Sequence, residues 1–209
     1  MATENSLKEK NRVPLLTIVV ANALTFYLVA TVNAIGIFGL SVLVKDSISA
    51  LPAGAMFVIT SVLVEVLGSK MKARLVFWKW ANPLPGTRAF SEIIHTDDRI
   101  DIEALKRKIG PFPTNPREQN STWYKLYLAL GNNPRITQVH RDYLFTRDYT
   151  AISVLFLFVG GAAIWVFSPY LNAIGYDTAL IVQYLIVRNS AMHHGERFVT
   201  TVLALTAAN

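Results

Sequence analysis

From Val13 to Val44 the chain runs 32 residues without a formal charge, and a second charge-free stretch of 28 residues extends from Tyr149 to Tyr176. A helix needs about 20 residues to cross about 30 Å of hydrocarbon, so either stretch suffices. Composition agrees: 52% of the 209 residues are hydrophobic and only 16% are charged, against about 25% charged in ordinary soluble domains. The sequence therefore predicts an all-α integral membrane bundle of about four transmembrane helices, with a small cytosolic helical domain between the second and third. Cysteine is absent, which excludes disulfides and thiolate metal sites.

The expected order is a cytosolic tail over 1–13, a transmembrane hairpin over 14–68, a basic and aromatic domain over 69–149, two further spans over 150–187 and a cytosolic C-terminal helix over 188–209. Pro14 suits a first helical position. The apolar run after it is about twice the length of a signal-peptide core, so it reads as a retained span. A second span covers Ala50 to Gly68. A third follows Asp148 and stops at Ser168-Pro169, because proline interrupts a helix. The segment Asn172 to Val187 is short and carries Asp177; it reads as a fourth span, with a re-entrant segment or an amphipathic helix as alternatives.

Charge orients these spans. Residues 69–149 hold 14 of the 20 Lys and Arg but 8 of the 14 acids. Arg188 and Arg197 follow the fourth span, while the turns near Lys45-Asp46 and Pro169-Tyr170 are nearly free of basic residues. By the positive-inside rule the central domain and both termini face the cytoplasm of a multi-pass inner-membrane protein.

Turn and cap signals divide the central domain. Asp101 caps "IEALKRKI", which Gly110-Pro111 ends; Ser121 caps "TWYKLYLAL", which Gly131 ends; Asn133 and Pro134 open a third helix that continues into span three. Ile102, Leu105 and Ile109 share a buried face, leaving Lys106, Arg107 and Lys108 solvated. Trp78 and Trp80 around Lys79 suit a headgroup-level belt, with a ligand-stacking platform as the alternative.

Two patterns carry functional expectations. Aromatic rings interleaved with cations suit a single-stranded nucleic acid, whose bases stack while its phosphates meet Lys and Arg. The candidates are Lys106, Arg107, Lys108, Tyr124, Lys125, Arg135 and Arg141; the alternative is that Trp123, Tyr127 and Tyr143 are core and the arginines only orient the chain. In the first span Asn22, Thr25, Asn33 and Gly36 fall on one stripe, with the two asparagines about three turns apart. That stripe either lines an aqueous path or packs helices together. Asp177 would add a carboxylate ring near its outer end in a symmetric oligomer. Glu65 reads as an ion-pair partner for Lys70, Arg188 or Arg197. The tail "AMHHGERF" does not make a metal site, since adjacent histidines point about 100° apart. No glycine-rich phosphate loop and no nucleophile–base pair is present, so neither an enzyme nor a cofactor is expected.

The paired spans, the segment "PREQNSTWYKLYLALGNNPRITQVHRDYLFTRDY" and the tail "RNSAMHHGERFVTTVLAL" together resemble small membrane effectors of bacterial anti-phage defence. In particular they resemble the membrane component of Hailong-type systems. That resemblance implies a homo-oligomeric channel, a tetramer, whose opening depolarises the cell. It implies a nucleotidyltransferase partner and control by short deoxyadenylate strands. A non-conducting scaffold that recruits a soluble partner is the second reading, and a lipid-acting membrane enzyme the third.

Overall fold

A computed structural model describes the backbone of residues 4–38 and 47–208, with side chains over 6–32 and 51–208. The elements are α1 (Glu4–Phe38), α2 (Ser47–Val66), α3 (Ser69–Phe77), α4 (Ile102–Ile109), α5 (Pro116–Ala129), α6 (Pro134–Leu155), a π turn (Phe156–Gly160), α7 (Gly161–Phe167) and α8 (Tyr170–Ala208). All regular structure among the described residues is helical. Short 3₁₀ turns at Pro85–Arg88 and Ile93–Thr96 complete it.

Among the described residues, two helices are long and apolar enough to cross a membrane: Ser6–Val32, of 27 residues, and Pro134–Phe167, of 34 residues with the π turn inside. The broken pair Leu51–Val66 and Ser69–Phe77 is a third candidate if it counts as one span. Apolar side chains point outward from these elements, Leu24 at 56%, Val58 at 58%, Phe158 at 72% and Val166 at 78% exposure. Such a surface is unfavourable in water and favourable against lipid tails. The protein is membrane-associated through these helices.

The chain divides into two compact units. The first gathers the segment ending at Asn11, Ser69–Arg147 and the segment beginning at Asn189. Its core joins Val76 of α3, Ile93 and Ile94 of a 3₁₀ turn, Leu105 of α4 and Ile136 of α6 with Phe198, Val202 and Leu203 of α8. The caps expected at Asp101 and Asn133 form: Asp101 Oδ1 accepts from the Ala104 amide at 2.8 Å, and Asn133 Oδ1 from the Arg135 amide at 2.9 Å. Gly110 and Gly131 end their helices at positive φ, 79° and 59°, where glycine avoids the Cβ clash.

Other boundaries differ from the sequence reading. Helix α5 starts at Pro116, capped by Asn115, whose Oδ1 accepts from the Arg117 amide at 2.9 Å, rather than at Ser121. The additional turn carries Gln119, which is 1% exposed. Its Oε1 accepts from the amides of Phe90 and Ser91, and its Nε2 donates to the Thr114 carbonyl. Helix α1 starts at Glu4, with Pro14 inside it rather than at its beginning. The preceding turns have a buried side of their own: Leu7 is 1% and Asn11 6% exposed, and Asn11 Nδ2 donates to the Arg141 carbonyl at 3.0 Å. The segment expected as a separate C-terminal helix from residue 188 is, through Ala208, the end of α8, which is continuous over 39 residues. Lys108 Nζ caps its end by donating to the carbonyls of Thr206 and Ala207.

The second unit comprises Arg12–Gly68 and Asp148–Arg188. Val19, Phe26, Met56, Ile152, Phe156 and Tyr176 form its core. The Phe26 ring meets Phe167 and Tyr176 edge-on at 6.2 and 6.0 Å between centroids.

Candidate ligand pocket and intramembrane cavity

A cavity of about 570 Å³ opens in the first unit. Helix α5 supplies Asn120, Trp123, Tyr124, Tyr127 and Leu128, and α6 supplies His140, Tyr143, Leu144 and Arg147. These positions recur every three or four residues and so fall on one stripe of each helix. Leu84, Pro85 and Gly86 close one side, and Phe198 of α8 completes the wall.

The rings support one another. Trp123 stacks on Tyr127 at 6.0 Å with planes 13° apart, and His140 stacks on Phe198 at 4.5 Å and 4°. Tyr127 meets both His140 and Phe198 edge-on. Its hydroxyl lies 3.2 Å from His140 Nδ1, which holds both groups in place. Gly86 permits the close approach of its loop, because a Cβ there would lie 2.6 Å from Asn120 Oδ1 and 2.8 Å from Trp123 Cε3. Gly195 of α8 is equally tight, with Phe77 Cζ at 2.8 Å and Tyr143 Cε2 at 2.9 Å from a built Cβ. The Trp123 Nε1–H is buried without an acceptor. The Arg147 guanidinium, 5.9 Å from the Tyr143 ring, supplies positive charge in the wall. The pocket thus combines broad apolar ring surface with a few polar groups, the usual makeup of a site for a small planar molecule.

Of the ligand residues named from sequence, Tyr124 lies in this wall, half exposed. Trp123, Tyr127 and Tyr143 are both core residues and pocket lining. Lys125, Arg135 and Arg141 are carried by the same two helices but sit roughly 110–130° around them from the lining stripes. Arg141 Nη2 lies 3.8 Å from Asp142 Oδ1. Lys106 pairs with Glu103 at 3.4 Å and lies 5.9 Å from the Phe112 ring centroid, Arg107 is solvent-exposed, and Lys108 caps α8; none of the three lines the pocket. Arg117, which the sequence reading passed over, lies within about 50° of the α5 stripe and is exposed. Arg147, one of the cations interleaved with the aromatics in sequence, reaches the pocket from α6; His140 and Phe198 were passed over, because they come from α6 and from a distant helix, which spacing along α5 cannot indicate.

The pore candidates fall in the second unit. Asn22 and Thr25 line a smaller cavity of about 260 Å³ with Tyr149, Tyr176 and Gln183. Asp177 Oδ2 accepts from Trp165 Nε1 at 2.8 Å, and its Oδ1 would touch a Cβ at Gly161, 2.8 Å away. Asn33 and Gly36 belong to α1, but their side chains, like the connection at Lys45-Asp46, lie outside the described residues. Glu65 is exposed.

No family model, no curated protein and no solved structure matches this chain.

Proposed function

We propose that the protein is an oligomeric membrane channel gated by a short single-stranded oligonucleotide bound at its cytosolic unit. The observation that carries this reading is the aromatic pocket of about 570 Å³, in a chain that also has two helices fit to cross a bilayer. A nucleobase matches the pocket's chemistry: it offers a π-face to the rings. Arg147 in the wall and Arg117 on the same side of α5 suit the phosphates of the attached strand. Helix α6 carries His140, Tyr143, Leu144 and Arg147 and continues to Leu155 in the membrane unit, which gives ligand binding a covalent path to the spans.

In this reading the chain crosses an inner membrane four times, with residues 172–187 as the fourth crossing and both termini cytoplasmic. The assembly is a tetramer, and a nucleotidyltransferase partner supplies an oligodeoxyadenylate-like ligand. Binding of a fluorescent oligodeoxyadenylate to the purified protein tests the ligand. Affinity should fall steeply between low and physiological salt, because each neutralised phosphate releases counterions. Absence of binding to any single-stranded oligonucleotide would leave the unit as a docking domain for a protein partner.

A further inference from the structure

We propose that α3 and the loop after it, residues 70–80 of the first unit, form a docking surface for the headgroups of anionic phospholipids. Among the described residues of that unit, the exposed large apolar and aromatic side chains are Met71, Trp78, Trp80, Tyr124 and Leu128. Tyr124 and Leu128 belong to the aromatic pocket. The other three share one short stretch of chain and do not line that pocket. Exposed rings bordered by charge mark a contact surface.

The backbone holds these rings outward against its own preference. Gly110 and Gly131 end their helices at positive φ, whereas α3 ends on Trp78 at φ 54°. The Trp78 amide donates to the Arg74 carbonyl at 2.9 Å, so a tryptophan stands where a helix usually carries its terminal glycine. A bulky side chain is strained there, and such strain gathers at functional places. Core packing does not offset it, since Trp78 is 58% exposed. Trp80 is more exposed still, and Arg74 shapes its loop. Arg74 Nε donates to the Trp80 carbonyl at 3.2 Å, and the guanidinium lies 5.8 Å from the ring centroid.

Charge and chain continuity select the occupant. Helix α3 turns Ala73, Val76 and Phe77 into the core and leaves Lys70 and Met71 outside. Lys79 and Arg88 share Glu92 at 3.3 and 3.4 Å, so with Lys70 and Arg74 the surface stays positive. Tryptophan favours headgroup depth, and basic side chains attract anionic lipid. A soluble acidic partner would meet the same cations. Lipid is favoured because α3 begins three residues after α2, whose Val58, Val62 and Val66 are exposed.

The surface stands whether or not the pocket binds an oligonucleotide. The test uses full-length protein in phosphatidylcholine vesicles with and without phosphatidylglycerol. The difference between wild type and Trp78→Phe/Trp80→Phe isolates the emission of the two rings. A lipid spin-labelled at its headgroup should quench that emission, and acrylamide should not. Quenching by acrylamide alone overturns the proposal, because the rings then face water. Shielding from both quenchers also overturns it, because protein then covers them. Energy transfer from tryptophan to dansyl-labelled phosphatidylglycerol should exceed transfer to the phosphatidylcholine analogue. Lys70→Gln should reduce that preference by up to about five-fold, the share of one basic residue near an anionic surface, while Tyr124→Ala retains it. Equal transfer to both lipids overturns the anionic selectivity. Oligonucleotide binding should survive in the double tryptophan variant; its loss would assign the rings to base stacking and overturn the lipid site.

Discussion

Lys108 and Tyr124 belong to one candidate list when read from sequence, and their surroundings separate them. Lys108 Nζ is committed to the Thr206 and Ala207 carbonyls, whereas Tyr124 presents a half-exposed ring to the pocket. Lys108→Met should therefore lower unfolding stability by about 0.5–1 kcal/mol through loss of a helix C-terminal cap, with oligonucleotide affinity unchanged. Tyr124→Ala should leave Tm nearly constant and weaken binding by about 5- to 150-fold, the worth of one base stack, as read by anisotropy titration. Arg117→Gln should reduce the salt slope of binding by about 1, and Arg135→Gln by less. A further residue responds to pH. The Arg99 side chain, hydrogen-bonded to Asp97, holds that carboxyl well below the usual carboxylate range. The folded state thus favours the ionised form. Its contribution is present above the ordinary pKa of about 4 and is lost as pH falls through lower values. Asp97→Asn should therefore lower Tm at pH 7, and the gap to the wild type should close on acidification from about pH 5 to pH 2.

At the scale of elements, local signals were legible where local chemistry decides the outcome. Asp101, Asn133, Gly110 and Gly131 act where their residue types place them. Ser121 did not become a cap, because Asn115-Pro116 is an earlier start signal and Gln119 gains its partners only if that turn is helical. Pro14 did not open α1 because Leu7 and Asn11 have buried environments supplied by tertiary structure. The aromatic and basic character of the site was legible in α5 and α6. Its closure was not, since Gly86 and Phe198 meet Trp123 from segments far away in sequence. Gln119 supplies a test at this scale. Gln119→Leu removes the acceptor of the buried Phe90 amide, so denaturant unfolding should show a loss of about 1–3 kcal/mol. Gly86→Ala should cost a similar 1–3 kcal/mol by overpacking against Trp123.

For the whole molecule, a polar aromatic unit and an apolar unit alternate along one chain, which visits the first three times and the second twice. Outward-facing Leu24, Val58, Phe158 and Val166 explain why the second unit needs lipid. Its smaller cavity and the aromatic pocket of the first unit are two places where small ions or molecules fit. The proposed gating joins them. Planar-bilayer recording of the purified full-length protein, with a short oligodeoxyadenylate titrated on the side of the central domain, tests that proposal most directly. The account predicts ionic conductance that changes with ligand dose, with the midpoint displaced to higher concentration in Tyr124→Ala. Conductance indifferent to every oligonucleotide, or no conductance in its presence or absence, would contradict it.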